Sequence, residues 1–214
     1  MTEATTKKTR TRKTSASTTT TTAKKKPASI ELPNNPLMFE ILDLVSRQRT
    51  KAKKVEVLRK YESAVLKALL IWNFDESVLS ALPEGEVPYG DPEDQTKYDG
   101  SLTKALEEKS RVMYETNNFS LGNGDTAAHT TLRSQAKNFY HFIVGGNNGL
   151  SGMRRESMYI NLLQAVHPLE AEIMILVKDG LLENSYKISK EVVSEAFPTI
   201  RWGGRSWFLQ GSLI

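Results

Sequence analysis

The sequence predicts a compact, mainly α-helical domain with a basic N-terminal arm. Between residues 36 and 200, apolar residues recur at three- and four-residue steps, which is the spacing of one helix face. The most apolar part, residues 151–180, is also the most periodic. The first 29 residues have almost no side chain large enough to bury, so burial cannot offset their ordering entropy. We expect about seven helices over 36–200, a disordered arm over 1–35 and a short extended segment over 201–214.

Two helices that meet at His167-Pro168 are predicted in the central stretch. Proline suits the first helical position, because the amide hydrogen that it lacks would have no partner there. Glu170 follows in the first turn, where its charge opposes the helix dipole, and Gly180 can end the second helix in a left-handed conformation. We expect Met158, Leu162 and Ile175 to be inside and the hairpin to be the centre of the domain.

The elements before this hairpin are defined by their capping residues. Asn35 can cap a helix that begins at Pro36, and Thr50 can cap the next one. A third helix, 63–72, is apolar nearly all round and should be buried. Residues 82–95 contain three prolines and five carboxylates, which predicts a stiff acidic surface loop with no regular structure.

Three further helices complete the predicted domain. Residues 101–116 form a polar amphipathic pattern, and residues 131–144 carry Leu132, Phe139 and Val144 on one side. The turn-rich sequence GGNNG ends the second of these, and Ser151 can cap the helix that follows it. Ser189 can cap a last helix, which Pro198 stops.

Composition and motifs argue against an enzyme. The chain has no cysteine, which excludes disulfides, thiolate zinc sites and cysteine nucleophiles. The histidines, His129, His141 and His167, have no second ligand at a metal-binding helical spacing, and GGNNG is followed by no GK[ST]. Apolar runs fall far short of the roughly 20 residues that span a bilayer. We therefore expect no catalytic residues, no metal, no cofactor and no membrane contact.

Positive charge is concentrated in the N-terminal arm. Residues 1–29 hold eight Lys and Arg residues against one Glu, a net charge of +7, so the remainder carries −3 of the chain's +4. Two basic clusters separated by threonines are typical of arms that lie on nucleic-acid phosphates. A solubilising linker and a transit peptide are the alternatives. The predicted phosphate-binding residues of the arm are Lys7, Lys8, Arg10, Arg12, Lys13, Lys24, Lys25 and Lys26.

A second basic cluster lies inside the domain, at the corner between the first two helices. Three lysines crowd the first turn of the second helix, where cations oppose the helix dipole. A bound anion would relieve this conflict, and a solvated corner is the alternative. The residues of this corner are Arg47, Arg49, Lys51, Lys53 and Lys54.

Arginine and aromatic residues alternate near the C-terminus in RWGGRSWF, residues 201–208. This combination holds single-stranded bases or anchors a protein interface. The alternative is that the indoles belong to the core or cover it. The predicted partner-binding residues are Arg201, Trp202, Arg205, Trp207 and Phe208.

Four stretches carry a family resemblance: FEILDLVSRQRTKAKKVEVLRKY, LPEGEVPYGDPED, FYHFIVGGNNGLSGMRRESMYINLLQAVHPLEAEIMILVKDG and EAFP. Over roughly residues 37–200 the chain resembles a family of uncharacterised proteins from T4-like tailed bacteriophages. The resemblance implies a phage gene product that acts in the cytoplasm of a bacterial host or in the virion. It implies no particular activity or ligand, and it does not extend to the arm.

These observations lead to two functional hypotheses. The first is a non-enzymatic phage accessory protein that binds DNA, RNA or a DNA-associated complex through its basic arm and basic corner. The second is a virion-associated or protein-interaction module without nucleic-acid contact, in which the acidic loop and the C-terminal aromatic residues bind a phage or host protein.

Overall fold

The computed structural model describes residues 32–88, 99–116 and 129–204. Most of these residues are helical, which confirms the predicted mainly α fold. They form nine α-helices, two of them with only a single turn, where the sequence predicted about seven. The helices are α1 Met38–Ser46, α2 Lys51–Lys60, α3 Ala64–Phe74, α4 Leu102–Thr116, α5 Leu132–Gln135, α6 Gly152–Ala165, α7 Pro168–Lys178, α8 Leu182–Tyr186 and α9 Lys190–Ala196. A 3-10 helix, Ala136–Phe142, continues α5.

Helix α7 lies at the centre of the fold. It packs against α1, α3, α4, α6 and α8. Leu169, Ile173 and Met174 are fully buried, as expected for a helix that is covered on several sides. Leu162 and Ile175 are also buried, and Met158 packs against the core from the edge. The central position of the hairpin is therefore confirmed.

The start of α7 is built as the sequence predicted, with an unexpected cap. Pro168 occupies the first helical position, and the ring Nδ1 of His167 accepts the amide of Leu169 at 3.1 Å. The imidazole also stacks on Phe39, with ring centroids 5.0 Å apart. Gly180 has a φ of +70°, which confirms the left-handed end of the helix.

The predicted start of α1 is wrong. Asn35 is exposed, and the helix begins two residues later than Pro36. Its amides are satisfied by carboxylates instead: Glu40 accepts from Leu37 at 2.8 Å, and Glu170 accepts from Met38 at 3.0 Å. A buried carboxylate is a stronger acceptor for a helix amide than a neutral asparagine side chain.

Other caps divide between confirmed and wrong predictions. Thr50 accepts the amide of Lys53 in the first turn of α2. Ser151 and Ser189 occupy the cap positions of α6 and α9, but neither side chain makes a capping hydrogen bond. The predicted positions of these two helix starts are therefore confirmed, but the expected capping hydrogen bonds are not formed.

The helix predicted over 131–144 is shorter and tighter than expected. It changes to 3-10 geometry at Ala136, and Ile143 is extended. The reason is pairing with the chain that follows α3: Ala81 donates to Phe142 O at 2.8 Å, and Val144 donates to Leu79 O at 2.9 Å. These two bonds end the helix and leave Val144 exposed.

In the part of the chain that the structure describes, no helix is both long enough and apolar enough to cross a membrane.

Candidate nucleic-acid interface

The domain's basic corner lies at the start of α2. Helix α2 packs on α1 and α9, which bury Val55 and Leu58. The opposite side is exposed and carries the cations. No acidic residue occupies the first turn of α2, whereas Lys51, Lys53 and Lys54 do. The predicted conflict with the helix dipole is therefore present in the structure.

Three of the five corner residues have partners within the fold. Lys51 forms an ion pair with Glu195 at 3.0 Å, and Arg47 forms one with Asp43 at 2.6 Å. The Lys54 ammonium donates to the carbonyl of Lys187. Lys51 and Lys54 therefore join α2 to α9 and to the end of α8, whereas the Arg47 pair lies at the end of α1.

Arg49 and Lys53 are the two corner residues left to solvent. Both are exposed, and no hydrogen bond or ion pair joins either side chain to another residue of the described chain. Arg49 precedes the cap residue Thr50 and Lys53 lies in the first turn of α2, so both are at the start of the helix. Their exposed side chains leave both residues able to contact an anion.

One cation that the sequence analysis did not single out extends this surface toward the end of α2. Lys60 lies seven positions after Lys53, and therefore on the same face, and its ammonium is 5.4 Å from the Tyr61 ring centroid. Arg59 instead donates to the carbonyls of Glu195 and Ala196, at 2.6 and 3.1 Å, and so caps α9. The seven-residue spacing in the sequence was the available signal for Lys60.

The N-terminal arm joins the domain at the end of α2. The amide of Leu32 donates to the hydroxyl of Tyr61 at 3.0 Å, and Tyr61 is the residue that ends α2. The end of the arm, at Leu32, is thus attached to the same helix that carries the basic corner, although at the opposite end of that helix. The arm's own cations, Lys7, Lys8, Arg10, Arg12, Lys13, Lys24, Lys25 and Lys26, lie outside the described residues.

The first part of the C-terminal aromatic segment packs on the domain. Trp202 is partly buried, its indole donates to Ser194 Oγ at 3.0 Å, and the Lys190 ammonium lies 5.2 Å from its ring. The amide of Gly203 donates to both carboxylate oxygens of Asp75. Arg201 is exposed, while Arg205, Trp207 and Phe208 lie outside the described residues. Trp202 therefore has contacts within the chain that account for its position.

The GGNNG turn has a structural explanation. Arg155 donates to the carbonyls of His141, Asn147 and Leu150, so its guanidinium is occupied by the loop itself. A Cβ at Gly146 would lie 1.9 Å from the carbonyl oxygen of Tyr140, so only glycine fits this position.

Two of the histidines have structural roles. His167 is fully buried as the cap of α7, and the His141 ring hydrogen-bonds to Asn147 at 3.0 Å. Burial, aided by the charge of Arg155, lowers the pKa of His141. Among the described residues, no group of three or more His, Asp or Glu side chains could hold a metal ion.

A pocket of about 280 Å³, counted with its open mouth, lies between the loop after Leu82 and helices α6 and α7. Its buried cation is Lys178, which donates to the carbonyls of Pro83 and Gly85 and pairs with Asp179. This ammonium has no donor left for a ligand. Lys178 therefore holds the loop after Leu82 against α7. The predicted acidic residues Glu84 and Glu86 are exposed beside the pocket.

Comparison with known proteins gives a family but no activity. One protein-family model, which describes a family of unknown function, matches residues 41–117 and 95–184. The two matches together cover more than half of the chain and include the basic corner and the central hairpin. Neither the curated proteins nor the solved structures contain a match.

Proposed function

The chain belongs to DUF6433, a family of unknown function, and from its charge distribution we propose that it is a non-enzymatic protein that binds nucleic-acid phosphates. The observation that carries the proposal is the hydrogen bond between Leu32 and Tyr61, which attaches the root of the basic arm to the end of α2. The basic arm, whose net charge is +7, therefore leads into a residue that contacts the helix carrying Lys53 and Lys60.

The dimensions of this surface suit a nucleic-acid backbone. Helix α2 has ten residues, which corresponds to a length of about 15 Å. Duplex DNA carries one charge per roughly 1.7 Å of its axis, so several phosphates can lie along this length. Lys53 and Lys60 lie on one face of the helix, Arg49 precedes its start, and the arm can extend the contact along the backbone.

Contacts of this kind recognise charge and spacing but not sequence. Lysine and arginine bind phosphate oxygens and release counterions, and such contacts carry no base information. The arm contains lysine, arginine and threonine but no aromatic residue that could stack on a base. We therefore expect affinity for nucleic acid in general, with a strong dependence on salt.

A phage setting is part of the proposal. The stretches LPEGEVPYG and HPLEAE, which resemble T4-like phage proteins, support an origin in a tailed bacteriophage and a place of action in the cytoplasm of the host bacterium. A protein of this kind would coat, tether or escort phage nucleic acid, or join a complex already bound to it, and it would act without chemistry of its own.

The proposal is tested by fluorescence anisotropy with labelled 25-base-pair duplex and single-stranded DNA at several salt concentrations. The first variant replaces the eight arm cations with glutamine at unchanged length. We expect it to lose most of the affinity and to flatten the salt dependence by about 0.9 in slope per lost phosphate contact on duplex. A second variant keeps the composition of the arm but permutes the order of its residues, and it should bind DNA with the same affinity as the parent protein.

The corner is tested by Arg49→Glu with Lys53→Glu, against Lys137→Glu with Arg154→Glu as the matched control. All four side chains are exposed, so both double variants change the net charge equally. The corner variant should weaken binding more than the control. Equal weakening, or no binding by the parent at low salt, would overturn the proposal. A nuclease-resistant protein partner recovered from host cells would then favour the protein-interaction module.

A further inference from the structure

Two carboxylates of α9 lie against the first residue of α2. The Lys51 ammonium is 3.0 Å from a carboxylate oxygen of Glu195 and 4.0 Å from one of Glu191. The two glutamates are four positions apart, so they project from one face of α9. In the described part of the chain, Lys51 is therefore the corner cation that meets two carboxylates of another helix.

The packing of α9 on α2 has sources other than these carboxylates. Arg59 donates to the backbone carbonyls of Glu195 and Ala196, at 2.6 and 3.1 Å. Val192 and Val193 are buried in the core. None of these contacts uses a carboxylate of α9, so all of them remain when the carboxylates are neutralised.

The ion pairs of Lys51 are exposed to solvent. The side chains of Lys51 and Glu195 are 50% and 49% exposed, and that of Glu191 is 84% exposed. Ion pairs at such exposure contribute little to stability, because water and salt screen them. A phosphate oxygen can therefore compete with the carboxylates for the Lys51 ammonium.

Lys51 and Glu195 both lie where their own helices disfavour their charges. Lys51 begins α2, whose amino end disfavours cations, and Glu195 lies in the last turn of α9, whose carboxyl end disfavours anions. Each side chain therefore gains from an opposite charge beside it. A phosphate can supply that charge to Lys51 in place of Glu195.

We propose that Glu191 and Glu195 restrain nucleic-acid binding by occupying Lys51, which becomes a phosphate contact only when the two carboxylates are displaced. This inference rests on the function proposed above and specifies how the same interface is regulated. It predicts that neutralising the carboxylates adds one phosphate contact to the interface. One added contact raises the affinity at low salt and steepens the salt dependence by about 0.9 in slope on duplex DNA.

The test measures anisotropy of the labelled 25-base-pair duplex with the full-length protein. Glu191→Gln with Glu195→Gln keeps the size of both side chains, and it should bind about three- to tenfold more tightly than the parent at about 50 mM salt. The control is Glu84→Gln with Glu115→Gln, which changes the net charge equally. Both control residues are exposed and lie outside α1, α2 and α9, so the affinity should change less than about twofold.

A third substitution separates a contact through Lys51 from a general effect of net charge. Added to the α9 double variant, Lys51→Gln should return the affinity to within about twofold of the parent, whereas Lys137→Gln, at an exposed position, should retain the gain. Equal loss with the two lysine substitutions would overturn the inference. Equal affinity of the parent and the α9 double variant would also overturn it. If the parent itself bound no DNA at low salt, the proposed function would fail, and this inference with it.

Discussion

Glu170 and Met38 are 132 positions apart in the sequence, yet the carboxylate of Glu170 accepts the first amide of α1 at 3.0 Å. The other oxygen of the same carboxylate accepts the amide of Leu132, at the start of α5, at 2.9 Å. Since Glu170 itself lies in the first turn of α7, three helix starts meet at one buried side chain. This junction gives the HPLEAE stretch a physical role in the fold.

Replacing Glu170 with alanine should destabilise the protein strongly. The change leaves two buried amides without acceptors, and each unsatisfied donor costs about 1–3 kcal/mol. We expect the free energy of unfolding in urea to fall by roughly 2–5 kcal/mol. The exposed residue Glu183, in the first turn of α8, provides the control: Glu183→Ala should cost only a few tenths of a kcal/mol. Equal effects of the two substitutions would show that the junction does not stabilise the fold.

His167 should be replaceable by a residue that keeps its cap but not by one that loses it. His167→Ala removes the acceptor for the Leu169 amide and the stacking on Phe39, and we expect a loss of about 2–4 kcal/mol in the free energy of unfolding. His167→Asn retains a side-chain acceptor and should recover about 1 kcal/mol of that loss. If the two variants unfold at the same urea concentration, the imidazole does not act as a cap.

The parts of the fold that the sequence predicts correctly depend on local chemistry. Thr50 caps α2 because its hydroxyl reaches the amide three residues away. Pro168 and Gly180 bound α7 because of their own backbone preferences. In contrast, no local pattern reveals that Glu170 serves α1 and α5. Long-range pairing also explains the error over 131–144, where bonds to Leu79 and Ala81 end a helix that periodicity extends.

The candidate interface was also predictable only in part. A count of charges finds Arg49 and Lys53, but it cannot separate them from Lys51 and Lys54, whose partners lie about 140 residues away in the sequence. The link between Tyr61 and the root of the arm was not predictable either, because a tyrosine at a helical step normally packs in the core.

The pH dependence of stability should include a contribution from Asp75. Burial raises the pKa of this carboxyl, but hydrogen bonds from Ser77 and Gly203 and the charge of Lys190 outweigh it, and the net shift is downward. A lowered pKa in the folded state contributes stability above the ordinary aspartate pKa of about 3.9, and this stability is lost as the pH falls through the folded value.

Asp75→Asn should therefore be less stable than the parent near pH 6, and the difference should shrink as the pH falls below about 4. Urea unfolding between pH 3 and pH 7 measures both proteins. Asp99 is the control, since its side chain is 90% exposed, and Asp99→Asn should follow the parent at every pH. A difference between Asp75→Asn and the parent that stays constant with pH would contradict the linkage.

Gly146 should tolerate no side chain, although it lies in a loop. A Cβ there would come within 1.9 Å of the backbone oxygen of Tyr140, which cannot rotate away as a flexible side chain could. The turn would have to open, and the Arg155 contacts to the carbonyls of His141 and Asn147 would weaken with it. We expect Gly146→Ala to lower the free energy of unfolding by about 1–3 kcal/mol.

Gly152 provides the matched control for this substitution. It lies six residues later, at the start of α6, and a Cβ there meets nothing within 4 Å. Because alanine favours a helix over glycine by roughly 0.5–1 kcal/mol, Gly152→Ala should be neutral or slightly stabilising. A Gly146→Ala protein as stable as the parent would mean that the loop rearranges freely, and the fixed geometry of the GGNNG turn would then be wrong. Opposite signs for two glycine-to-alanine changes so close in sequence would show that the close approach of Tyr140, and not loop entropy, requires the glycine at position 146.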